Sequence, residues 1–393
     1  MLNKKMTELG NKSSVIREMF EYGKKRKAEI GAQNVFDFSL GNPSIPAPPI
    51  VTETIVKLIN EKDPLSLHGY TSAPGDISVR KAIAEDINGR FGADATPSLI
   101  YMTCGAAASL TISLNALLNP GEEVILLAPF FPEYVVFAEK AGATVRVVKA
   151  SEDFQIDFKA LGEAINANTK AIIVNSPNNP TGAVLSQETI VKLAALLNEK
   201  CTELGNEIYI IADEPYRELV YSGISVPYIP NFYNNTIVCY SFSKSLSLPG
   251  ERIGYIFISP KANNPHDIFA AVCGAGRALG FVCAPSLLQY TVMSCLGKTA
   301  DLSLYEKNRN LLYSALTEYG YSAVRPDGAF YLFIKSPEPD ANNFCERAKK
   351  YELLLVPGDS FGAEGYVRIS YCVSTETIMR ALPAFKRLIE EYR

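Results

Sequence analysis

Histidine is nearly missing from this chain of 393 residues: only His68 and His266 occur, far apart. That scarcity argues against a histidine-based metal site and against a serine–histidine–aspartate triad. The eight cysteines form no CxxC and no paired spacing. They read as reduced core thiols of a cytoplasmic protein, not as a disulfide framework. A basic excess is lacking too, since 38 Lys and Arg stand against 42 Asp and Glu for a net charge of −4. Nucleic acid and anionic membrane are therefore disfavoured as partners. The most apolar stretch, VILLAPFFPEYVVFA (124–138), is broken by two prolines and a glutamate and cannot span a bilayer. The N-terminus mixes charge with apolar residues and has no continuous apolar segment, so a signal peptide is not expected there.

What the chain does have is the composition of a soluble globular protein, 47% hydrophobic and 20% charged. Short β-branched runs recur from residue 99: LIYMT, EVILLA, TVRVV, AIIVN, IYIIA, TIVCY and IGYIFI. Helical stretches such as SQETIVKLAALLNEK separate several of them. Continuous apolar runs alternating with amphipathic helices mean strands covered on both faces, hence an α/β fold with a mostly parallel sheet of about seven strands. After residue 290 the pattern changes to a smaller α+β unit containing GAFYLFI, LLLVPG and YVRISYC. The expected organisation is an N-terminal arm packing with the small domain (1–45), a large domain (46–289) and a small C-terminal domain (290–393).

Ligands of open parallel sheets gather outside the carboxyl ends of the strands. After LIYMT comes CGAAASL, small residues opening a helix, which offers free N–H groups to an anion such as phosphate. It is not GxGxxG, and GKT (297–299) is only half of a P-loop with no strand leading into it. After AIIVN comes SPNNPTG, carrying Asn179; after IYIIA comes DEPY, carrying Asp213 and Tyr216; after EVILLA comes PFFPEY, with Phe131. After TIVCY comes SFSK, with Lys244, followed by Arg252. Each alone has an ordinary reading: a surface loop, a helix cap, core packing. Together they complement a planar, phosphorylated, heteroaromatic aldehyde. A desolvated lysine beside a cation is a nucleophilic amine that can form a Schiff base. An aspartate can keep a ring nitrogen protonated. A phenol and an amide can bond to a ring hydroxylate, an aromatic ring can stack, and Ser241, Ser243 and Arg252 can complete a phosphate site.

With these features, SLGNP (39–43), HGYTSAPG (68–75), TCGAAAS, SPNNPTG, ADEPY, SFSKSLSLPGERIGY, PDGAFYLF, VPGDSFG and YVRISYC stand in one collinear order. In these motifs the sequence resembles the class I/II aminotransferases, the aspartate-aminotransferase-like branch of fold type I pyridoxal-phosphate enzymes. The resemblance implies pyridoxal 5′-phosphate as cofactor, Lys244 as Schiff-base lysine and general base, and Asp213 as partner of the ring nitrogen. It implies Asn179 and Tyr216 on the ring hydroxyl and Phe131 on the ring face, with Gly105, Ala106, Ser241, Ser243 and Arg252 around the phosphate. Tyr70 would reach the phosphate of a neighbouring subunit, so a homodimer with shared sites is implied. Arg368, assisted by the Gly41 backbone, would grip the substrate α-carboxylate.

Substrate choice is less marked. One branch of the family reads a side-chain carboxylate with a lysine where this chain has Ala107. Another uses an arginine from the partner subunit, and Arg277 stands at a similar spacing after Lys244. On that basis an aspartate- or glutamate-type amino acid is favoured, with a 2-oxo acid such as 2-oxoglutarate as acceptor. The alternatives are neutral or aromatic amino acids, or a carbon–sulfur β-lyase on the same fold. No metal site is expected.

Overall fold

The computed structural model describes residues 2–11 and 15–393; Met1 and residues 12–14 of the expected N-terminal arm lie outside the described residues. Each of the seven apolar runs is a strand of one sheet: β1 Ile100–Thr103, β2 Glu123–Ala128, β3 Thr144–Lys149, β4 Thr169–Asn175, β5 Tyr209–Asp213, β6 Thr236–Ser241 and β7 Gly254–Ile258. Their order is β1-β7-β6-β5-β4-β2-β3, and only β7 runs antiparallel to its neighbours. The expected mostly parallel α/β sheet is what the chain forms.

Alternation along each strand builds the core on both faces. Ile210 and Ala212 of β5 point into one cluster, while Tyr209 and Ile211 point into another. This period-two division explains why the central strands are apolar throughout. The edge strand β3 instead carries exposed Arg146 and Lys149, charges that discourage edge-to-edge pairing. The helix seen in the sequence runs Gln187–Leu204; Ser186 accepts the N–H of Thr189, and Gly205 ends it at φ 66°.

A second sheet of four short antiparallel strands joins β8 Ser322–Ala323, β9 Tyr331–Lys335, β10 Val356–Pro357 and β11 Tyr366–Ser370. Phe36–Asp37 pairs in parallel with Leu353–Leu354 in a separate two-stranded sheet, tying the N-terminal segment to the chain that leads into β10. The core behind the four-stranded sheet also takes in Phe38, Tyr216, Leu219 and Tyr221. The chain following β5 is thus packed into the core of the second sheet. Among the described residues no helix is long and apolar enough to cross a membrane.

Candidate active site

Parallel strands end on one side, so β1, β4, β5 and β6 deliver their following residues to a single cleft of about 260 Å³. Its lining includes Gly41, Ala106, Phe131, Asn179, Asp213, Tyr216, Ser241, Ser243, Lys244, Arg252 and Arg368.

Lys244 sits on the short helix Phe242–Ser245 directly after β6. Ser241 caps that helix by accepting the Ser243 N–H at 3.2 Å. The lysine is half-buried, and its Nζ donates to the Gly41 carbonyl at 2.7 Å. Burial, reinforced by Arg252 and Arg368, pushes the amine down to about 8, although nearby Cys372 acts the other way. A substantial neutral fraction near neutral pH is what a nucleophile or general base requires.

Three elements converge on an anion cradle. The helix Ala106–Leu117 opens at Gly105 with no side-chain cap, leaving its first N–H groups free. Arg252 Nη1 donates to Ser243 Oγ at 3.3 Å, and the Ser241 and Ser243 hydroxyls lie 2.8 Å apart. Gly105 has φ 85°, and a Cβ there would lie 2.8 Å from Arg252 Nη2. Only glycine lets that guanidinium approach the helix N-terminus.

Asp213 closes β5. Its Oδ2 accepts from the Tyr134 hydroxyl and, at 3.4 Å, from Asn175 Nδ2, while Oδ1 is buried with no partner. Burial pushes the carboxyl up to about 7, with the Tyr134 bond pulling down and Glu214 pushing up. An orphaned buried carboxylate oxygen is costly unless something protonated completes it. A protonated ring nitrogen is such a group, so the residues present fit a pyridoxal ring.

Asn179 donates its backbone N–H to Asn175 Oδ1 at 2.8 Å, and its Oδ1 accepts from Arg368 Nη1 at 3.1 Å. Arg368 Nη2 donates to the Ser39 carbonyl at 2.6 Å, and its guanidinium lies between the rings of Tyr331 and Phe361, 4.8 and 4.9 Å from their centroids. Burial lowers its affinity for a proton, yet an arginine stays charged. A buried cation without a carboxylate among its hydrogen-bond partners is suited to an incoming one. Phe131 lines the same cleft and meets Tyr134 edge-on at 5.7 Å.

Two residues singled out from the sequence lie elsewhere. Tyr70 is 99% exposed, and Arg277 is exposed in the last turn of the helix Pro265–Leu279; neither lines the cleft. Four contributors were not anticipated: Ser39, Tyr134, Asn175 and Tyr331. Asn175 carried a signal, being the polar last residue of a buried strand. Tyr134 and Tyr331 carried none beyond an aromatic in an apolar context.

The residues 33–385 match the family model for aminotransferase class I and II. The chain is 32% identical to an aspartate aminotransferase of Thermotoga maritima, covering 93% of this chain and 95% of that one. A crystal structure of an aminotransferase from Eubacterium rectale superimposes with a TM-score of 0.98 at 54% identity, covering 100% of this chain and 99% of that one. The aspartate aminotransferase of Thermus thermophilus with maleate gives a TM-score of 0.87 at 28% identity, covering 99% of each chain. The chain therefore belongs to the class I and II aminotransferases, pyridoxal-phosphate-dependent enzymes of fold type I.

Proposed function

We propose that this aminotransferase moves the amino group of an L-amino acid, with aspartate and glutamate types favoured, to a 2-oxo acid such as 2-oxoglutarate. It works by a ping-pong cycle in a homodimer, in the cytoplasm. The observation that carries the reaction type is the grouping of Lys244, the unpartnered Asp213 Oδ1 and buried Arg368 in one cleft.

In this reading, Gly105 at the helix start, with Ala106, Ser241, Ser243 and Arg252, would hold the cofactor phosphate, Asp213 its ring nitrogen, Asn179 and Tyr216 its ring hydroxyl, and Phe131 its face. Pyridoxal phosphate supplies the carbonyl carbon that takes the amino group and the electron sink for the substrate α-carbon. Arg368 orients the substrate through its α-carboxylate. The Lys244 amine, positioned beside the Gly41 carbonyl, would take the proton from the substrate α-carbon and hand it to the cofactor carbon that receives the amino group. Replacing Lys244 by alanine is expected to abolish both the visible absorbance of the holoenzyme and turnover. Retained transamination would refute the assignment.

The substrate preference draws support from relatives named aspartate aminotransferase and from the Thermus structure with maleate, a dicarboxylate. Arg277 is solvent-exposed and makes no ion pair among the described residues, so it is free to serve a partner's cleft. Tyr70, nearly fully exposed, would do the same at the phosphate. One observation favours a second reading, neutral or aromatic amino acids: this chain's own cleft wall at Ile16, Leu40, Ala107 and Leu110 is apolar. Initial rates with aspartate, methionine, phenylalanine and alanine against 2-oxoglutarate separate the two. Arg277→Ala is expected to cut kcat/KM for aspartate by about 100-fold, because it removes a charge-assisted hydrogen bond to the side-chain carboxylate. An unchanged preference would rule out Arg277 as the side-chain reader.

A further inference from the structure

Tyr331 has no role in the reaction as proposed, yet three parts of the cleft meet on it. Its hydroxyl lies 2.9 Å from that of Tyr216. Its ring lies beneath the Arg368 guanidinium at 4.8 Å. Its hydroxyl also rests against Gly41, where even a methyl side chain would collide with it. Tyr331 belongs to β9 of the second sheet, whereas Tyr216 follows β5 of the first. The pair therefore joins a residue carried by the first sheet to one carried by the second, inside the core behind the second sheet.

The proton inventory gives the link a direction. Each phenol has one proton to donate and can accept from others. Both stay protonated at neutral pH, because burial pushes Tyr331 up to about 12 and Tyr216 well above the ordinary phenol value. Once Tyr216 gives its proton to another acceptor, the short hydroxyl pair persists only if Tyr331 donates to Tyr216. Hydrogen bonds in such a chain polarise one another, so the second donation strengthens the first. The charged and titratable groups facing the pair are Arg368, Asp213, Lys244, Cys372 and Tyr305. The arginine favours electron density on the phenol oxygens and the aspartate opposes it.

We propose that Tyr331 is a positioning residue that donates to Tyr216 and thereby strengthens the Tyr216 bond to the cofactor's ring oxygen, linking the Arg368 carboxylate site to the cofactor. This rests on the proposed placement of Tyr216 at the ring hydroxyl. The consequence is electronic. Charge drawn off the ring oxygen makes the Lys244 nitrogen, once joined to the cofactor, hold its proton less tightly.

Tyr331→Phe keeps the ring beneath Arg368 and removes only the hydroxyl. In the holoenzyme, the pH midpoint of the visible absorbance change should rise by roughly 0.5–1 unit, the size of one neutral hydrogen bond. In a Tyr216→Phe background the same substitution should leave the midpoint where Tyr216→Phe put it. Tyr331→Leu, which also removes the ring, should in addition weaken competitive inhibition by maleate about threefold or more. An unmoved midpoint in folded Tyr331→Phe, or a rise that persists without the Tyr216 hydroxyl, would overturn the proposal. Should Tyr331→Phe fail to fold, Gly41→Ala displaces the same hydroxyl and must raise the midpoint likewise. Failure of the underlying functional reading looks different: no lysine-dependent visible band would form in the parent protein at all.

Discussion

Asp213 shows how burial converts an acidic residue into a demand for a partner. Its carboxyl is pushed up to about 7 from an ordinary 3.8, chiefly by desolvation. Between those values the folded, cofactor-free chain keeps a proton that the unfolded chain has released. Stability therefore falls as pH rises from about 4 to about 7. Thermal melting of the cofactor-free protein across that range should decline more steeply for the parent than for Asp213→Asn; equal slopes would place the effect on another group. Lys244 has the opposite sign. Its amine is pushed down to about 8, so its contribution is a stability that rises with pH between about 8 and 10.5. Residues of this kind were readable from the chain because each stands directly after a buried apolar run. Tyr134 and Asn175, which hold Asp213 in place, were not all so readable. A tyrosine that hydrogen-bonds an aspartate 79 positions away leaves no local pattern.

At the scale of elements, the close approach of a helix N-terminus, a strand end and an arginine depends on a missing side chain. Gly105 combines a φ of 85° with a position where Cβ would meet Arg252 at 2.8 Å. Gly105→Ala is expected to weaken pyridoxal phosphate binding to the cofactor-free protein about tenfold or more, from strain at that position and displacement of Arg252. Absorbance titration reads this directly, and unaltered affinity would argue against a phosphate at this helix end. The seven strands of the large sheet were legible because covered parallel strands must be apolar on both faces. The reversed direction of β7 was not, since an antiparallel central strand buried on both faces looks the same in sequence. The two-residue pairing of Phe36–Asp37 with Leu353–Leu354 was equally silent, being too short to carry a period.

The whole molecule raises the question of shared sites. Tyr70 and Arg277 lie outside the cleft of their own chain, on exposed surface. If they complete a partner's cleft, a chain carrying Lys244→Ala and a chain carrying Arg277→Ala are each deficient on aspartate alone. Mixed and allowed to exchange, they form hybrids with one intact site, restoring about a quarter of parental activity by random assortment. Absence of recovery in a mixture shown to exchange would refute the shared-site arrangement.

By itself the sequence determined the alternation of covered strands and helices, and with it the side of the sheet where Asn179, Asp213, Lys244 and Arg252 had to emerge. Strand period and strand-end position are local properties, and local properties survive in a linear string. Arg368 became a site residue only through likeness to a family, because a strand-borne arginine is otherwise an ordinary surface residue. Tertiary packing alone buries Arg368 between Tyr331 and Phe361, brings Lys244 to the Gly41 carbonyl, and sets Tyr216 against Tyr331 in the core behind the second sheet. Those contacts join residues far apart in the chain. Their energies come from desolvation and geometry that exist only once both sheets have packed.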